Sequence, residues 1–480
     1  MGKKSRAVLH TTFQRGKQSS SAWKMTFFPI KPTAWAYSMI TLGTTMLQSV
    51  FSFYYVKLFL DLYNISEVAF YQAQILLVVW NVLNDLTVYF CVDFKADCRV
   101  GRCLSALFGS LLCAAAFLLP WFPWRHYQDG DWLCGLHLMA SLCAVDSTLT
   151  YVQQAHCRFF VETFNRHESR LQLMKINQVA SMVGSSGVLF CGLISGNLDV
   201  LPNFQAAATV IAFVAAASLY AGMYHMRQLE LKRSPEESFL LESEQDVAWT
   251  SVFLLMRQIL TQKNYYLFLI MNVFQVFHLT FFNNFMMIFA DILIPRDVLS
   301  SFTRSILYGA GFICSQGLVL IIWPWLKKFG YYKVILISFY LEGAASFVML
   351  RLGQESYRCL ALYLAATTAL IQAASCLFDL PLADMIDAVL LKFDRQRPIS
   401  AVVFGFNALF TKPARALVPV LMLARLEKYD FRNPDSSAVL DLQDFVFCLV
   451  CLVPLGIVAV QILVWNAFSV HNKKDQMEAL

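Results

Sequence analysis

Residues 445–468 have the sequence FVFCLVCLVPLGIVAVQILVWNAF, which contains no charged side chain over 24 positions. A helix of about 20 apolar residues is long enough to cross the hydrocarbon core of a bilayer. Similar runs recur along all 480 residues, of which 58% are hydrophobic and only 15% charged. Soluble domains carry about a quarter charged residues, so soluble enzymes, secreted disulfide scaffolds and disordered proteins are excluded. The composition predicts an all-α polytopic membrane protein.

Twelve apolar runs separated by polar breaks predict twelve transmembrane helices. The polar stretch 227–264 divides them into two groups of six. We therefore expect two six-helix bundles, residues 34–226 and 264–469, around a central site. The predicted spans are Ala34–Leu60, Val68–Val92, Cys103–Phe122, Trp132–Ala155, Leu171–Ser195, Phe204–Met226, Tyr265–Ala290, Phe302–Trp325, Val334–Leu350, Cys359–Met385, Ser400–Ala424 and Phe445–Phe468.

Positive charge is concentrated on one side of the predicted bundles. With the N-terminus inside, 27 Lys and Arg side chains fall in or beside the inner segments and 7 in the outer ones. Since cytosolic loops hold the excess of Lys and Arg, both termini are predicted to be cytosolic. The cytosolic parts are then a basic N-terminal segment (1–33), a connector with an interfacial helix (227–263) and a tail (470–480). Asn64 begins a glycosylation sequon in an outer loop, whose shortness favours an unused sequon.

Polar residues inside the predicted spans lie three or four positions apart, so each set shares one helical face. Two interpretations are open: hydrogen bonds that hold helices together, or a water-filled cavity between the bundles. Because such faces occur in six spans, three in each half, the cavity is favoured. For His278, a hydrogen-bonded interior histidine is the alternative. The candidate cavity residues are Thr44, Gln48, Thr150, Gln153, Gln275, His278, Gln372, Asp379 and Arg415.

Three charged residues in separate spans form the most specific candidate site. An ionisable group inside a span costs about 2.5–3.5 kcal/mol on insertion scales and marks a pathway or a partner. If Asp85, Asp146 and Lys412 converge, they leave a residual charge of −1 in a medium of low dielectric constant. Such a charge is unstable unless a cation binds or a carboxylate takes up a proton. This pattern predicts a cation-coupling site, with Asn81 as a neutral oxygen ligand; the alternative is a structural Asp–Lys pair.

Several short motifs resemble one known family. Trp80-Asn-Val-Leu-Asn-Asp85 is followed by Val92-Asp93 and Arg99-Val-Gly-Arg102. In the second half stand Pro381-Leu-Ala-Asp-Met-Ile-Asp387 and Thr411-Lys412. Together these motifs resemble the melibiose-carrier branch of the major facilitator superfamily, whose members are glycoside–pentoside–hexuronide:cation symporters.

The resemblance implies a twelve-helix facilitator that works by alternating access. The cation site of the family maps onto Asn81, Asp85 and Asp146, with Lys412 as the basic partner. The charged residues after the second span and at the end of the tenth would form a cytosolic gate. These gate residues are Asp93, Arg99, Arg102, Asp384 and Asp387.

The chain also departs from the family pattern. Asn81 stands where the family has Asp, Leu86 stands where it has Pro, and the first span lacks the sugar-binding Asp. Hard cations prefer several charged oxygens, so coupling to H⁺, or no coupling ion, is expected in preference to Na⁺. We predict a symporter of a small polar, sugar-like solute; the alternative is a transport-inactive membrane receptor or scaffold, which the departures favour.

Other function classes find little support in the sequence. No nucleophile–base constellation, phosphate-binding loop or metal-ligand set is visible, so we expect neither an enzyme nor a bound cofactor or metal. The net charge of +6 is spread over loops and does not indicate a nucleic-acid partner. The expected partners are the lipid bilayer and the solute, with a monomer in the plasma membrane in preference to an internal membrane.

Overall fold

The computed structural model describes residues 32–94, 99–128, 130–163, 167–231, 262–392, 400–429 and 438–468. Within these ranges the chain forms α-helices, short π- and 3₁₀-helical turns and no β-strand. The α-helices are α1 (Pro32–Lys57), α2 (Glu67–Phe94), α3 (Arg99–Leu118), α4 (Trp132–Thr163), α5 (His167–Ser195), α6 (Leu201–Leu231), α7 (Lys263–Leu293), α8 (Ser301–Leu352), α9 (Tyr357–Leu377), α10 (Asp379–Lys392), α11 (Ser400–Leu426) and α12 (Ala438–Ala467).

The predicted class, an all-α polytopic membrane protein, is confirmed. Seven candidate spans in the described part of the chain are long and apolar enough to cross a membrane by length and composition. The count of twelve spans and the cytosolic location of both termini stay predictions. The N-terminal segment, most of the connector and the tail lie outside the described residues.

The helices that form can be compared with the predicted eighth, ninth and tenth spans. The predicted eighth and ninth spans both lie within α8, whose backbone leaves helical geometry at Gly330, between the two spans, with φ at 77° and ψ at 163°. Glycine adopts this backbone conformation because it has no Cβ. The predicted tenth span is divided between α9 and α10, which meet at Phe378. Several helices also extend past their predicted ends, because a polar residue ends an apolar run without ending a helix.

In the described part of the chain, the two halves meet mainly along three helix pairs, α5 with α8, α2 with α11, and α1 with α7, and α4 makes a smaller contact with α11. The α5–α8 contact is very close at Gly309, where an added Cβ would lie 2.5 Å from the Cβ of Leu189. A glycine at this position therefore sets how closely the two halves approach.

A charged network joins the halves at the end of the bundle that contains the loops 63–66, 122–131, 196–200, 294–300 and 353–356. We call this the outer end, since the charge distribution predicts that it faces outside. Asp291 on α7 forms an ion pair with Lys57 on α1 and accepts a 2.6 Å hydrogen bond from Nη1 of Arg304 on α8. Arg304 also donates to the carbonyl oxygens of Leu299 and Ala290. We call Lys57, Asp291 and Arg304 the outer network. Each of its side chains forms an ion pair with another member.

Neutral hydrogen bonds also join the two halves at the outer end. Asn197, after α5, donates to the carbonyl oxygen of Ser301 at 3.0 Å, and Ser305 donates to Asn197 Oδ1 at 3.1 Å. Asn284 on α7 donates to the Tyr55 hydroxyl at 3.1 Å. The two halves therefore contact each other through both charged and neutral bonds at this end.

The start of α4 illustrates how outer-loop residues position the spans. Asp131 caps the helix by accepting from the backbone N–H of Leu133 at 3.1 Å. Nη2 of Arg125 donates to the same carboxylate at 2.6 Å. The Arg125 hydrogen bonds, followed by the one from Leu133, hold the pKa of Asp131 below its ordinary value.

Candidate functional site

The centre of the molecule holds a cluster of charged side chains contributed by both halves. Lys412 on α11 donates to Oδ1 of Asp85 on α2 at 2.5 Å and to the hydroxyl of Thr150 on α4 at 2.8 Å. Its Nζ also lies 3.4 Å from Oδ1 of Asp146 on α4. The structure thus brings together the three charged residues that the sequence singled out. We call Asp85, Asp146, Thr150 and Lys412 the central cluster.

Helical spacing explains how these residues meet. Asp146 and Thr150 are four positions apart and share one face of α4, which packs on α2 inside the N-terminal half. Lys412 lies on α11, which packs against α2 from the other half. Pro413 follows it within the helix and has no N–H to donate to the preceding turn. Only 9% of the Lys412 surface and 7% of the Asp85 surface are exposed, so the Asp85–Lys412 ion pair is buried.

Two oxygen atoms beside this ion pair are left without a partner. Asp85 Oδ2 and Asn81 Oδ1 are buried and accept no hydrogen bond from the described residues. The two residues are four positions apart and therefore share a face of α2. By contrast, Asp146 accepts a 3.1 Å hydrogen bond from Asn84 in addition to its contact with Lys412. Buried acceptors without donors are unfavourable, so this part of the cluster has capacity for a proton or cation.

Arg415 changes the charge balance that the sequence predicted. It lies one turn from Lys412 on α11, is exposed, and interacts electrostatically with Asp146, Asp85 and Tyr55. With two carboxylates, one ammonium and one guanidinium, the formal charge is zero. The expectation of a residual charge of −1 was incomplete, because it left Arg415 out of the group.

The predicted cavity residues of the N-terminal half have different environments. Gln153 donates to Gln48 at 3.1 Å, which links α4 to α1, and Gln153 itself is exposed. Thr44 is buried and bonds back to the carbonyl oxygens of Ile40 and Thr41 in its own helix. Gln48 and Gln153 therefore stay candidates for solute contact, whereas the Thr44 hydroxyl is engaged within α1.

In the C-terminal half, the glutamines hold helices together. Gln275 donates to the carbonyl oxygen of Ile371 at 2.9 Å and accepts from Gln461 at 2.8 Å. Gln372 donates to Asn283 at 2.9 Å and accepts from Ser315 at 3.2 Å. These contacts match the interpretation of polar faces as helix-joining hydrogen bonds. Of the predicted cavity residues in this half, Asp379 and Arg415 are exposed.

His278 lies away from the central cluster, inside the C-terminal half. Its Nδ1 is 3.7 Å from Oε2 of Glu342 on α8, and both side chains are fully buried. His278 is therefore an interior residue, but neither of its ring nitrogens has a hydrogen-bond partner among the described residues, as the hydrogen-bonded alternative required.

The structure describes only some of the residues of the predicted gate and of the predicted sequon. In the gate, Asp384 on α10 is half-buried and forms a hydrogen bond with the Tyr331 side chain. The side chains of Asp93, Arg99, Arg102 and Asp387 lie outside the described residues, so the gate stays a prediction. Asn64 is exposed with φ at 45°, and the hydroxyl of Ser66 accepts from the backbone N–H of Ala69 at the start of α2.

The outer network was missed in the sequence. Asp291 directly follows the predicted seventh span, which ends at Ala290, so span prediction alone places it in a loop. The available signal was the presence of Lys57, Asp291 and Arg304 at similar predicted depths near the outer end. In the described part of the chain, no group of three or more His, Cys, Asp or Glu residues is arranged to hold a metal ion.

Comparison with solved structures gives the fold context. A crystal structure of a bacterial homologue of the iron transporter ferroportin in an outward-facing state aligns with a TM-score of 0.61 at 12% identity, over 92% of this chain and all of that chain. A crystal structure of a point mutant of the nucleoside transporter NupG aligns with a TM-score of 0.58 at 14% identity, over 91% of this chain and all of that one. At these identities the likeness shows that this chain shares the fold of those two transporter structures.

Sequence comparison gives the family. The chain is 28% identical to transmembrane protein 180 of Gallus gallus, over 93% of this chain and 94% of that protein. It is 25% identical to transmembrane protein 180 of Mus musculus, over 94% and 95% respectively. The model of the MFS/sugar transport protein family matches residues 36–471, nearly the whole chain. This match confirms the family resemblance of the Trp80–Asp85 and Thr411-Lys412 motifs and the expectation of a transporter in place of an enzyme. The chain belongs to the MFS/sugar transport protein family of membrane transporters.

Proposed function

We propose that the protein is a proton-coupled symporter that carries a small polar solute by alternating access. The observation that supports this most strongly is the central cluster, in which Lys412 of one half bonds Asp85, Asp146 and Thr150 of the other. The solute is proposed to bind beside this cluster, near Gln48, Gln153 and Arg415. The plasma membrane is the proposed location.

The position of Lys412 links ion binding to conformation. Rocking of the two halves must break or rearrange the bonds between α11 and the helices α2 and α4. A ligand changes a conformational equilibrium only through its different affinities for the two states. A proton on Asp85 removes the charge that attracts Lys412, so protonation favours states in which the halves separate at this level.

The unpartnered oxygens suit a proton better than a sodium ion. A proton on Asp85 Oδ2 provides an O–H donor, and Asn81 Oδ1 is an acceptor on the same face of α2. One proton thus satisfies two buried atoms. A sodium shell needs several oxygen ligands, and Asn81 supplies a neutral amide oxygen where the family has a carboxylate.

Uptake into proteoliposomes tests the proposal. Purified protein is reconstituted and supplied with a panel of radiolabelled sugars and organic ions, with an inward proton gradient. We expect uptake of at least one member, and its collapse when a protonophore dissipates the gradient. Asp85→Asn is expected to abolish the gradient-driven part. Uptake that persists unchanged in Asp85→Asn and Asp146→Asn would remove both carboxylates from the mechanism.

A second outcome would favour the receptor or scaffold alternative. In that case no panel member is transported, although the protein is folded and monodisperse in detergent.

Arg425→Gln is the matched control for changes on α11, because Arg425 is an exposed cation of the same helix near the outer end. Its uptake is expected to equal that of the wild type.

A further inference from the structure

Of the two cations in the central region, Lys412 and Arg415, Arg415 has fewer polar contacts. Its side chain is exposed, and it forms no hydrogen bond or ion pair with another described residue. Lys412, one turn away on α11, has three polar contacts and is 9% exposed. A guanidinium has five N–H donors in a planar fork. The groups with which Arg415 interacts electrostatically all belong to the N-terminal half.

The groups that face Arg415 come from three helices of the other half. They are Asp146 on α4, Asp85 on α2 and Tyr55 on α1. The groups that face Asp85 are Lys412, Asp146 and Arg415. Both carboxylates contact Lys412, whereas neither is within ion-pair distance of Arg415. Arg415 is therefore held close to negative charge without being paired to it.

We propose that Arg415 binds a carboxylate of the transported solute, so that the substrate is an organic monoanion. This rests on the proposed transport function and names its substrate class. The planar guanidinium matches the two oxygens of a carboxylate in a bidentate pair, a geometry that an ammonium such as Lys412 does not provide. A neutral sugar leaves the guanidinium donors of Arg415 without a charged acceptor.

The charge balance then explains why a proton accompanies the solute. Asp85, Asp146, Lys412 and Arg415 sum to zero when the site is empty. A bound monoanion makes the sum −1, which is unfavourable in a region of low dielectric constant. One proton on Asp85 Oδ2, donated onward as a hydrogen bond to Asn81, restores zero. The carboxylate and the proton thus bind from the same side and leave together on the other, in a ratio of one to one.

Electroneutral transport follows from this balance. The loaded and the empty carrier both cross the membrane field with no net charge in the central region, so no charge moves per cycle. The rate of solute uptake then depends on the proton gradient and is insensitive to the membrane potential.

Matched acid and alcohol pairs test the substrate class. Thermal unfolding of the full chain in detergent is measured with D-glucuronate and D-glucose, L-lactate and 1,2-propanediol, and benzoate and benzyl alcohol. We expect at least one acid to raise the unfolding midpoint while its neutral partner does not. In Arg415→Gln the apparent affinity for that acid falls about tenfold or more, the order expected for one charge-assisted bidentate contact.

Two further variants keep the result interpretable. Arg415→Lys retains the charge without the fork and is expected to bind with intermediate affinity, while Arg425→Gln binds like the wild type. Wild-type protein is also expected to take up one proton per bound acid, measured with a pH indicator in weakly buffered solution. If none of the three acids stabilises the wild type, or if Arg415→Gln binds the acid as tightly, the carboxylate site is overturned.

Uptake measurements separate this inference from the transport proposal. Proteoliposomes are supplied with the acid that stabilises, under a proton gradient and with valinomycin and potassium setting the potential. Uptake driven by the proton gradient and unchanged by the potential supports both proposals. Binding that requires Arg415 without any uptake supports the carboxylate site and overturns transport. Proton-driven uptake of the neutral partners alone supports transport and overturns the carboxylate site.

Discussion

The outer network and the central cluster both join the two halves through charged side chains, yet their hydrogen bonding differs. In the outer network, Asp291 is shared by Lys57 and Arg304, and Arg304 also bonds backbone carbonyl oxygens. In the central cluster, Asp85 keeps one buried oxygen without a donor among the described residues, and the neighbouring Arg415 is exposed without a carboxylate.

This difference indicates a division of roles. A network in which every charged side chain has an oppositely charged partner favours one arrangement of helices, and it gains little from a ligand. A cluster with unused acceptors and an unpaired cation gains stability when a proton or an anion arrives. We therefore interpret the outer network as a closure between the halves, and the central cluster as the part that responds to ligands.

The largest effect is expected from removing the shared lysine. Lys412→Met leaves the buried Asp85 and the half-buried Asp146 without their cation, and loss of one partner of a buried pair costs about 3–5 kcal/mol. The thermal unfolding midpoint in detergent should fall strongly. The double variant Asp85→Asn with Lys412→Met should recover most of this loss, because the stranded charge is removed. Equal instability of the single and double variants would contradict the account of the pair.

A smaller effect is expected where the halves pack without charge. Gly309→Ala on α8 places a Cβ 2.5 Å from the Leu189 Cβ on α5, and overpacking costs about 1–3 kcal/mol. Gly317→Ala on the same helix is the matched control, since nothing lies within 4 Å of its added Cβ. The control should be neutral or slightly stabilising, because alanine favours a helix more than glycine does. Equal midpoints for the two variants would show that the α5–α8 approach is not tight.

The proposed role of the outer network in closing the outer end is tested by measuring the distance between the two halves there. Spin labels at Val68 on α2 and Phe302 on α8, both exposed near the outer end, report the distance between the halves by double electron–electron resonance. Asp291→Asn removes the charge that Lys57 and Arg304 share, so a population at longer distance should appear. An unchanged distance distribution would mean that the neutral contacts of Asn197 and Tyr55 are sufficient for closure.

The smallest effect is expected in the outer loop, away from both regions. Asp131 has a lowered pKa, so its ionised form adds stability above its ordinary pKa of about 3.9, and that contribution is lost as pH falls through the folded-state value. Asp131→Asn should lower the unfolding midpoint slightly at pH 7, and the difference from the wild type should shrink as the pH falls below about 4. A constant difference across this range would indicate that helix capping, and not charge, carries the effect.

The sequence allowed good prediction of the central residues and poor prediction of their surroundings. Asp85, Asp146 and Lys412 stand out because charges inside apolar runs are rare and costly. Helical periodicity also placed Gln275 and Gln372 on polar faces, but it does not say whether a face meets another helix or the space between the halves. That distinction depends on tertiary packing, and the structure shows that both glutamines join neighbouring helices.

The same limit explains the missed contacts. Lys57 and Asp291 are 234 positions apart, and nothing local in either segment indicates that they pair. The role of Arg415 was predicted only as a cavity residue, because its neutralising effect requires that α11 lie against α2 and α4. The fold class could be predicted because each span shows its apolar composition and its helical periodicity locally, without reference to distant residues.

One measurement tests the central claim most directly, that protonation of Asp85 releases the bond between the halves. The Val68–Phe302 spin-label pair is measured in the wild type and in Asp85→Asn at pH 8 and pH 5. We predict that the wild-type distance distribution changes on acidification, and that Asp85→Asn at pH 8 already resembles the wild type at pH 5. A wild-type distribution that is the same at both pH values and the same in Asp85→Asn would contradict the account.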